Sequence, residues 1–200
     1  MERSVRLNAW LALAALLAAG ALVASALPRQ ALDWQPQLAL SQPWRLITAA
    51  WVHWSPLHLL ANVLGCAAVA AWGWRAHCDR HDALAWAAAW PLSHLVLLAQ
   101  PQLLHYGGLS GVLHAGVVVA AVRLLFDGPA WPRAIALAVI GGLGLKVVLE
   151  APWQGPLRQV PGWDIAIAPL AHIGGAAAGL LCALLLHGVL LPMRRHPPRA

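Results

Sequence analysis

The sequence predicts an all-α, polytopic membrane protein of six transmembrane helices, and three observations carry that expectation. The 200 residues are 60% hydrophobic and only 10% charged, whereas ordinary soluble domains carry roughly 25% charged residues. The apolar residues gather in six runs that reach, or come close to, the about 20 residues needed to cross a hydrocarbon core. The basic residues gather at alternate ends of those runs, the distribution expected of a spanning protein.

The six runs are about 7–27, 56–74, 83–100, 109–126, 131–149 and 166–191. They occupy most of the chain, so the expectation is a single membrane domain over 1–200. The first run follows a charged start, and Ala24-Ser25-Ala26 resembles a signal-peptidase site. Its apolar stretch is longer than the roughly 7–15 residues of a signal-peptide core, so a retained helix is expected. With alternating segments, Arg3, Arg6, Arg75, Arg80, Arg123, Arg133, Arg194, Arg195 and Arg199 share one side. Only Arg29, Arg45 and Arg158 fall on the other, with Lys146 inside the fifth run. Nine against three places both termini in the cytoplasm. The net charge of +6 is therefore a topology signal, and no nucleic-acid partner is expected.

Between the first two runs, 28–55 is long and amphipathic, with Trp34, Trp44, Trp51 and Trp54. Such a loop is expected to lie on the outer leaflet, because tryptophan favours the membrane interface. Trp72, Trp74, Trp86, Trp90 and Trp131 near the inner ends, and Trp153 and Trp163 around the last outer loop, read the same way. Cys66, Cys78 and Cys182 have no CxxC spacing and read as small packing residues. Glycines cluster at Gly107-Gly108 with Gly111 and Gly116, at Gly141-Gly142-Gly144, and at Gly174-Gly175 with Gly179. Gly175 and Gly179 form a small-xxx-small face that lets helix backbones approach closely in lipid.

Polar side chains inside spanning segments are expensive and are functional candidates. The second, fourth and sixth runs all enter from the outer side, and each carries its polar residues near that end. They are His58 and Asn62, Ser110 and His114, and His172. At about 1.5 Å per residue, all lie within roughly 10 Å of one outer level. A shared water-filled cavity explains that common depth. Ser110 needs a base to become a nucleophile, and the neutral imidazole of His172 suits that task. His58 and Asn62, four apart on one helical face, can donate hydrogen bonds to an oxyanion, as can the Ser110 backbone N–H. The structural alternatives are a packing serine and an interhelical histidine hydrogen bond. His53 reads as a structural link between loop and helix. His77, His81, His94, His105, His187 and His196 lie in loops, at ends or alone, so no metal site and no cofactor are expected. Lys146 and Glu150 are four apart and can pair, reading as an anchor at the end of the fifth helix.

These residues also resemble a family. Gly108-Leu109-Ser110-Gly111 is similar to the GxSG motif of rhomboid proteases. His53, His58 and Asn62 match HxxxxHxxxN, and 171–179 match AHxxGxxxG. The resemblance covers about 42–191 with the motifs in order. It implies a six-helix rhomboid-like bundle and an intramembrane serine endopeptidase with a Ser110–His172 dyad and no aspartate. It further implies that His58 and Asn62 line the oxyanion hole, and that the substrates are single-pass transmembrane proteins in the lipid bilayer. The fifth helix and the loop 152–169 would act as gate and cap. His114 stands where an aromatic often stacks on the catalytic imidazole, so stacking and titration are both open to it. The loop motif ExWR is Gln42-Pro43-Trp44-Arg45 here, without its acid. The short chain and His114-Ala115-Gly116 resemble the bacterial rhombosortase branch, which implies C-terminal Gly-Gly anchors as substrates. The implied place is the bacterial inner membrane, with the site open to the periplasm. Two other functions compete: a catalytically inactive rhomboid-like protein that binds membrane clients, and a small transporter. A transporter would carry its polar residues at the midplane, and these lie near one end.

Overall fold

The computed structural model describes residues 8–190. Among them the regular structure is helical, apart from two isolated bridges, Trp34–Tyr106 and Arg158–Ile167. Five helices are long and apolar enough to cross a membrane: α4 (Pro56–Arg75), α5 (Arg80–Leu95, continued by a 3-10 turn), α6 (Ser110–Asp127), α7 (Ala130–Leu149) and α8 (Pro169–Leu184). Before them come α1 (Ala9–Ala24), which is apolar but only 16 residues long, and the short loop helices α2 (Arg29–Leu32) and α3 (Arg45–Thr48). The chain is thus an integral membrane protein built as a helical bundle.

Local sequence sets the boundaries. Asn8 caps α1 by accepting the Trp10 N–H, and the chain leaves the helix three residues before Pro28. The first span is therefore shorter than 7–27, and its expected start at residue 7 lies outside the described residues. Ser55 caps α4 with Pro56 at the first helical position, and Asp79 with Asp82 forms a capping box on α5. Pro169 likewise starts α8 three residues later than expected, and α8 ends in a π-helical stretch, Leu185–Leu190. Residue 191, the basic residues Arg3, Arg6, Arg194, Arg195 and Arg199, and His196 also lie outside the described residues.

The packing is made by small residues receiving large ones. A Cβ on Gly73 would collide with the Trp10 indole, and one on Gly116 would meet Trp86 at 2.7 Å. Trp10 and Trp86 face each other with ring centroids 4.5 Å apart. Their indole N–H groups donate to Val69 O at 3.0 Å and Val112 O at 2.8 Å. This corrects part of the tryptophan reading. Trp34, Trp86 and Trp90 are buried, whereas Trp44, Trp74, Trp131, Trp153 and Trp163 are exposed as interface residues would be. The reason is that alanines and glycines on neighbouring helices open slots, and a backbone carbonyl satisfies the indole N–H of Trp86 and, from Ile47, of Trp90.

The closest helix pair is α6 with α8. A Cβ at Gly175 would strike the Gly111 carbonyl oxygen, and one at Gly179 would come 2.5 Å from Ala115 O. Glycine has a different role in α7, where Gly141, Gly142 and Gly144 have nothing within 4 Å of an added Cβ. These three do not pack against another described helix. Cys66 and Cys78 are buried and Cys182 half-buried, all as free thiols. At the end of the bundle away from α6's start, buried Asp82 bonds His187 at 2.8 Å. His187 is thus a paired core residue and not a lone one.

Candidate active site

Three helices bring their first turns, and α7 its last, to one end of the bundle. Ser110 is the first residue of α6, His172 the fourth of α8, and His58 and Asn62 the third and seventh of α4. The Gly111–Ala171 and Gly111–Gly175 approaches set the α6–α8 spacing, and Ser110 Oγ stands 2.9 Å from His172 Nε2. His114 stacks on the His172 ring, centroids 4.4 Å apart and planes 10° from parallel. Its Nδ1–H donates to the Ser110 carbonyl at 2.6 Å, so stacking is the alternative this geometry realises.

Ser110, His172, His114, His58 and Asn62 line one cavity of about 250 Å³. His58 Nδ1 accepts from the Trp54 N–H at 3.4 Å, which leaves the proton of a neutral His58 on Nε2. That nitrogen packs against Gly108, whose φ of +144° and missing Cβ are both required there: an added Cβ would sit 2.9 Å from His58 Nε2. Asn62 gives one amide N–H to the His58 carbonyl at 3.0 Å. The Ser110 N–H opens α6, where helix N–H groups have no partner within the helix. His53 lies 4.7 Å, ring to ring, from His58 and bonds Trp51 O at 3.1 Å. Burial pulls its pKa down to about 4 against the opposing effect of that hydrogen bond, so it is neutral.

A family model described as Rhomboid domain matches residues 40–189. The match takes in the segments that carry Ser110, His172, His58 and Asn62. The chain belongs to the rhomboid family. Rhomboids are in general intramembrane serine proteases that act on transmembrane substrates. No curated protein matches this chain.

Against the rhomboid pattern, the loop without its glutamate proves to be differently wired. Arg45 is buried and donates to Gln42 Oε1 at 2.7 Å, and to Asp33 at both the carbonyl oxygen (2.6 Å) and Oδ1 (3.0 Å). The acid missing from position 42 is supplied by Asp33, twelve residues upstream of the arginine. His105 reaches the other Asp33 oxygen at 2.6 Å, and His94 bonds Leu46 O at 2.7 Å. Neither histidine is alone, as its sequence position suggested. The paired backbone bonds of Trp34 and Tyr106 then fasten this loop to the segment entering α6, and Gly108 N–H adds a bond to Ala49 O. Backbone hydrogen bonds thus tie the loop to the segment that leads into Ser110.

Sequence reasoning missed three residues at this rhomboid's cavity. Tyr106, the only tyrosine, donates to Gly108 O at 3.2 Å, and burial pushes its phenol up to about 12, so it remains a donor. Lys146 and Glu150 do pair, at 2.5 Å. However, they line the cavity instead of only anchoring a helix end. Glu150 Oε2 is 2.5 Å from His172 Nδ1, and Lys146 Nζ is 3.2 Å from His114 Nε2. Their i,i+4 spacing was visible, but the helix that would face them was not.

The segment after α7 covers the cavity. It contributes Leu157, Val160, Trp163, Ile165 and Ile167. The Arg158–Ile167 backbone bridge gives it shape, and Asp164 accepts a hydrogen bond from Ser55 at 2.8 Å. Among the described residues no group of three or more potential metal ligands occurs.

Proposed function

We propose that this rhomboid is an intramembrane serine endopeptidase that cleaves single-pass membrane proteins near the outer face through Ser110 and His172. The observation that carries the reading is the 2.9 Å contact between Ser110 Oγ and His172 Nε2 at a covered cavity. As Oγ attacks the scissile carbonyl carbon, its proton passes to Nε2. The carbonyl oxygen becomes an oxyanion facing the Ser110 N–H, His58 Nε2–H and an Asn62 amide N–H. Collapse breaks the C–N bond, and Nε2 returns the proton to the leaving amine. Water then attacks the acyl-enzyme ester, giving a proton to Nε2, and collapse releases the acid while Oγ recovers its hydrogen.

An intact substrate helix hides its carbonyls in internal hydrogen bonds, so it must unwind locally. Glycine lowers that cost by about 1 kcal/mol per residue relative to alanine. This agrees with the reading, drawn from the rhombosortase resemblance, that C-terminal Gly-Gly anchor segments are the substrates. The same resemblance and the arginine distribution support a bacterial inner membrane, cytoplasmic termini and a periplasm-facing site. An inactive client-binding role would not need a nucleophile and base in register.

Cleavage of a transmembrane reporter in liposomes tests the reading. Ser110→Ala and His172→Ala should each lower turnover by about 10³-fold or more. Undiminished cleavage by either variant would refute the dyad. A reporter whose Gly-Gly pair is replaced by Leu-Leu should be cut more slowly, and equal rates would remove the substrate assignment alone.

A further inference from the structure

We propose that Glu150 is a positioning residue for His172, so that the reaction runs only while the last turn of α7 is docked against the α6–α8 pair. The inference rests on the Ser110–His172 reading and adds a third, acidic member to it from a helix that carries neither reacting group.

The argument starts with an unfavourable placement. Glu150 caps the C-terminal end of α7, where the helix dipole disfavours an anion, and it lies at the end of an apolar segment. The next residue, Ala151, takes a left-handed conformation with φ +48°, which a side chain other than glycine adopts at a cost. Two local preferences are thus overridden at consecutive positions. What the arrangement achieves is a carboxylate with both oxygens engaged, Oε1 by Lys146 and Oε2 by His172, each at 2.5 Å.

The hydrogen-bond directions give this contact a chemical consequence. A carboxylate only accepts, so the proton between it and the ring belongs to His172 Nδ1. A neutral His172 then has its lone pair on Nε2, the atom facing Ser110 Oγ. Glu150 therefore selects the tautomer that can take the serine proton. Once Nε2 is protonated, the ring is a cation facing the carboxylate. Lys146 Nζ is 3.4 Å from the same Nδ1; both are donors, so this is proximity and not a hydrogen bond. The bond of Lys146 to Glu150 sets the direction of the carboxylate, and its contact with His114 ties α7 to the ring stacked on His172.

These polar contacts matter because α7 is thinly buried, packing on α6 with Leu143 half-buried against the core. Ala136 is its only buried residue. Displacing the end of α7 would remove the acceptor from Nδ1, freeing the ring to rotate or change tautomer. The site is thereby coupled to the helix beside its opening.

The test uses the full-length protein in liposomes, with a transmembrane reporter and a small fluorophosphonate probe. Glu150→Gln keeps the shape and removes the charge. It should lower kcat at least tenfold with KM within about threefold, and slow probe labelling of Ser110 in parallel, as loss of an orienting acid does in serine hydrolases. A smaller fall in kcat, a change confined to KM, or normal labelling with slow cleavage would overturn the proposal. If those results come while Ser110→Ala is inactive, the dyad reading survives. If Ser110→Ala cleaves, that reading fails first. Should Glu150→Gln not fold, the neutral pair Glu150→Gln with Lys146→Met is read in its place. A folded neutral pair with depressed labelling supports positioning. A folded pair of normal activity, or one that also fails to fold, makes the ion pair structural and overturns the proposal.

Discussion

Of the helices packed on α6, α8 and α7 are attached in opposite ways. α8 is attached backbone to backbone, with Gly175 against Gly111 and Gly179 against Ala115. α7 presents three glycines to open space, and polar contacts at Lys146 and Glu150 fasten the end nearest the site. In lipid the tails are as apolar as the side chains, so close packing must do what hydrophobic burial does in water. The α6–α8 pair has that packing and carries Ser110 and His172. α7 does not have it, and carries Lys146 and Glu150, which contact the His114 and His172 rings. The difference separates a part of the site held by backbone packing from a part held, at its end, by side-chain contacts; on the proposal above, the second part is the one that can be withdrawn.

The sharpest way to break this division is to place the same side chain on both helices. Gly175→Val forces bulk against the Gly111 carbonyl and should separate Ser110 from His172. Overpacking typically costs about 1–3 kcal/mol or more, and fluorophosphonate labelling should fall below detection. Gly142→Val, which meets no neighbour, should label within about twofold of the parent chain. Equal labelling of the two variants would show that the tight pair does not set the dyad geometry.

Next in size is the loop that fastens the entry to α6. Arg45→Met leaves buried Asp33 without its main cationic partner, and removing one member of a buried pair costs about 3–5 kcal/mol. Thermal unfolding should register that loss, with labelling reduced because the Trp34–Tyr106 contact loosens. A melting curve matching the parent's would place the loop outside the rigid part. On the opposite, withdrawable side, Asp164→Ala removes one hydrogen bond between the cap and Ser55. It should change stability by only about 0.5–1.5 kcal/mol and leave labelling no slower than before. Slower labelling would mean that the cap holds the dyad together and does more than cover it.

The same division governs how much could be read from the sequence. Ser110, His172, the His58–Asn62 face and the small-residue face of α8 stand out in the sequence because the position of each is encoded within its own segment. Hydropathy gave the depth, and the four-residue spacing gave the face. Arg45–Asp33 and His172–Glu150 were not visible, because each joins segments whose facing surfaces no periodicity specifies. Lys146 and Glu150 were recognised as a pair, but the pair looked sufficient in itself. Tryptophans 34, 86 and 90 were misplaced for a related reason. Interface preference is a property of the residue, whereas a slot beside Gly116 is a property of two helices. Likewise the glycines of α7 looked like those of α8, and only the bundle separates them.

The smallest expected effect bears on those α7 glycines. Gly141→Ala and Gly142→Ala each add a methyl group where nothing lies within 4 Å, so no clash opposes them. Alanine is the better helix former by at most about 1 kcal/mol in an exposed position. The melting temperature should therefore stay level or rise slightly, with probe labelling within twofold. Reporter cleavage is the informative measurement. If it also holds, the glycines make α7 pliable without contacting substrate, and the polar end alone fixes its docked position. If cleavage falls while labelling holds, the glycine face is used by the large substrate and not by the small probe. In that case the loose side of the site would be a recognition surface as well as a detachable one.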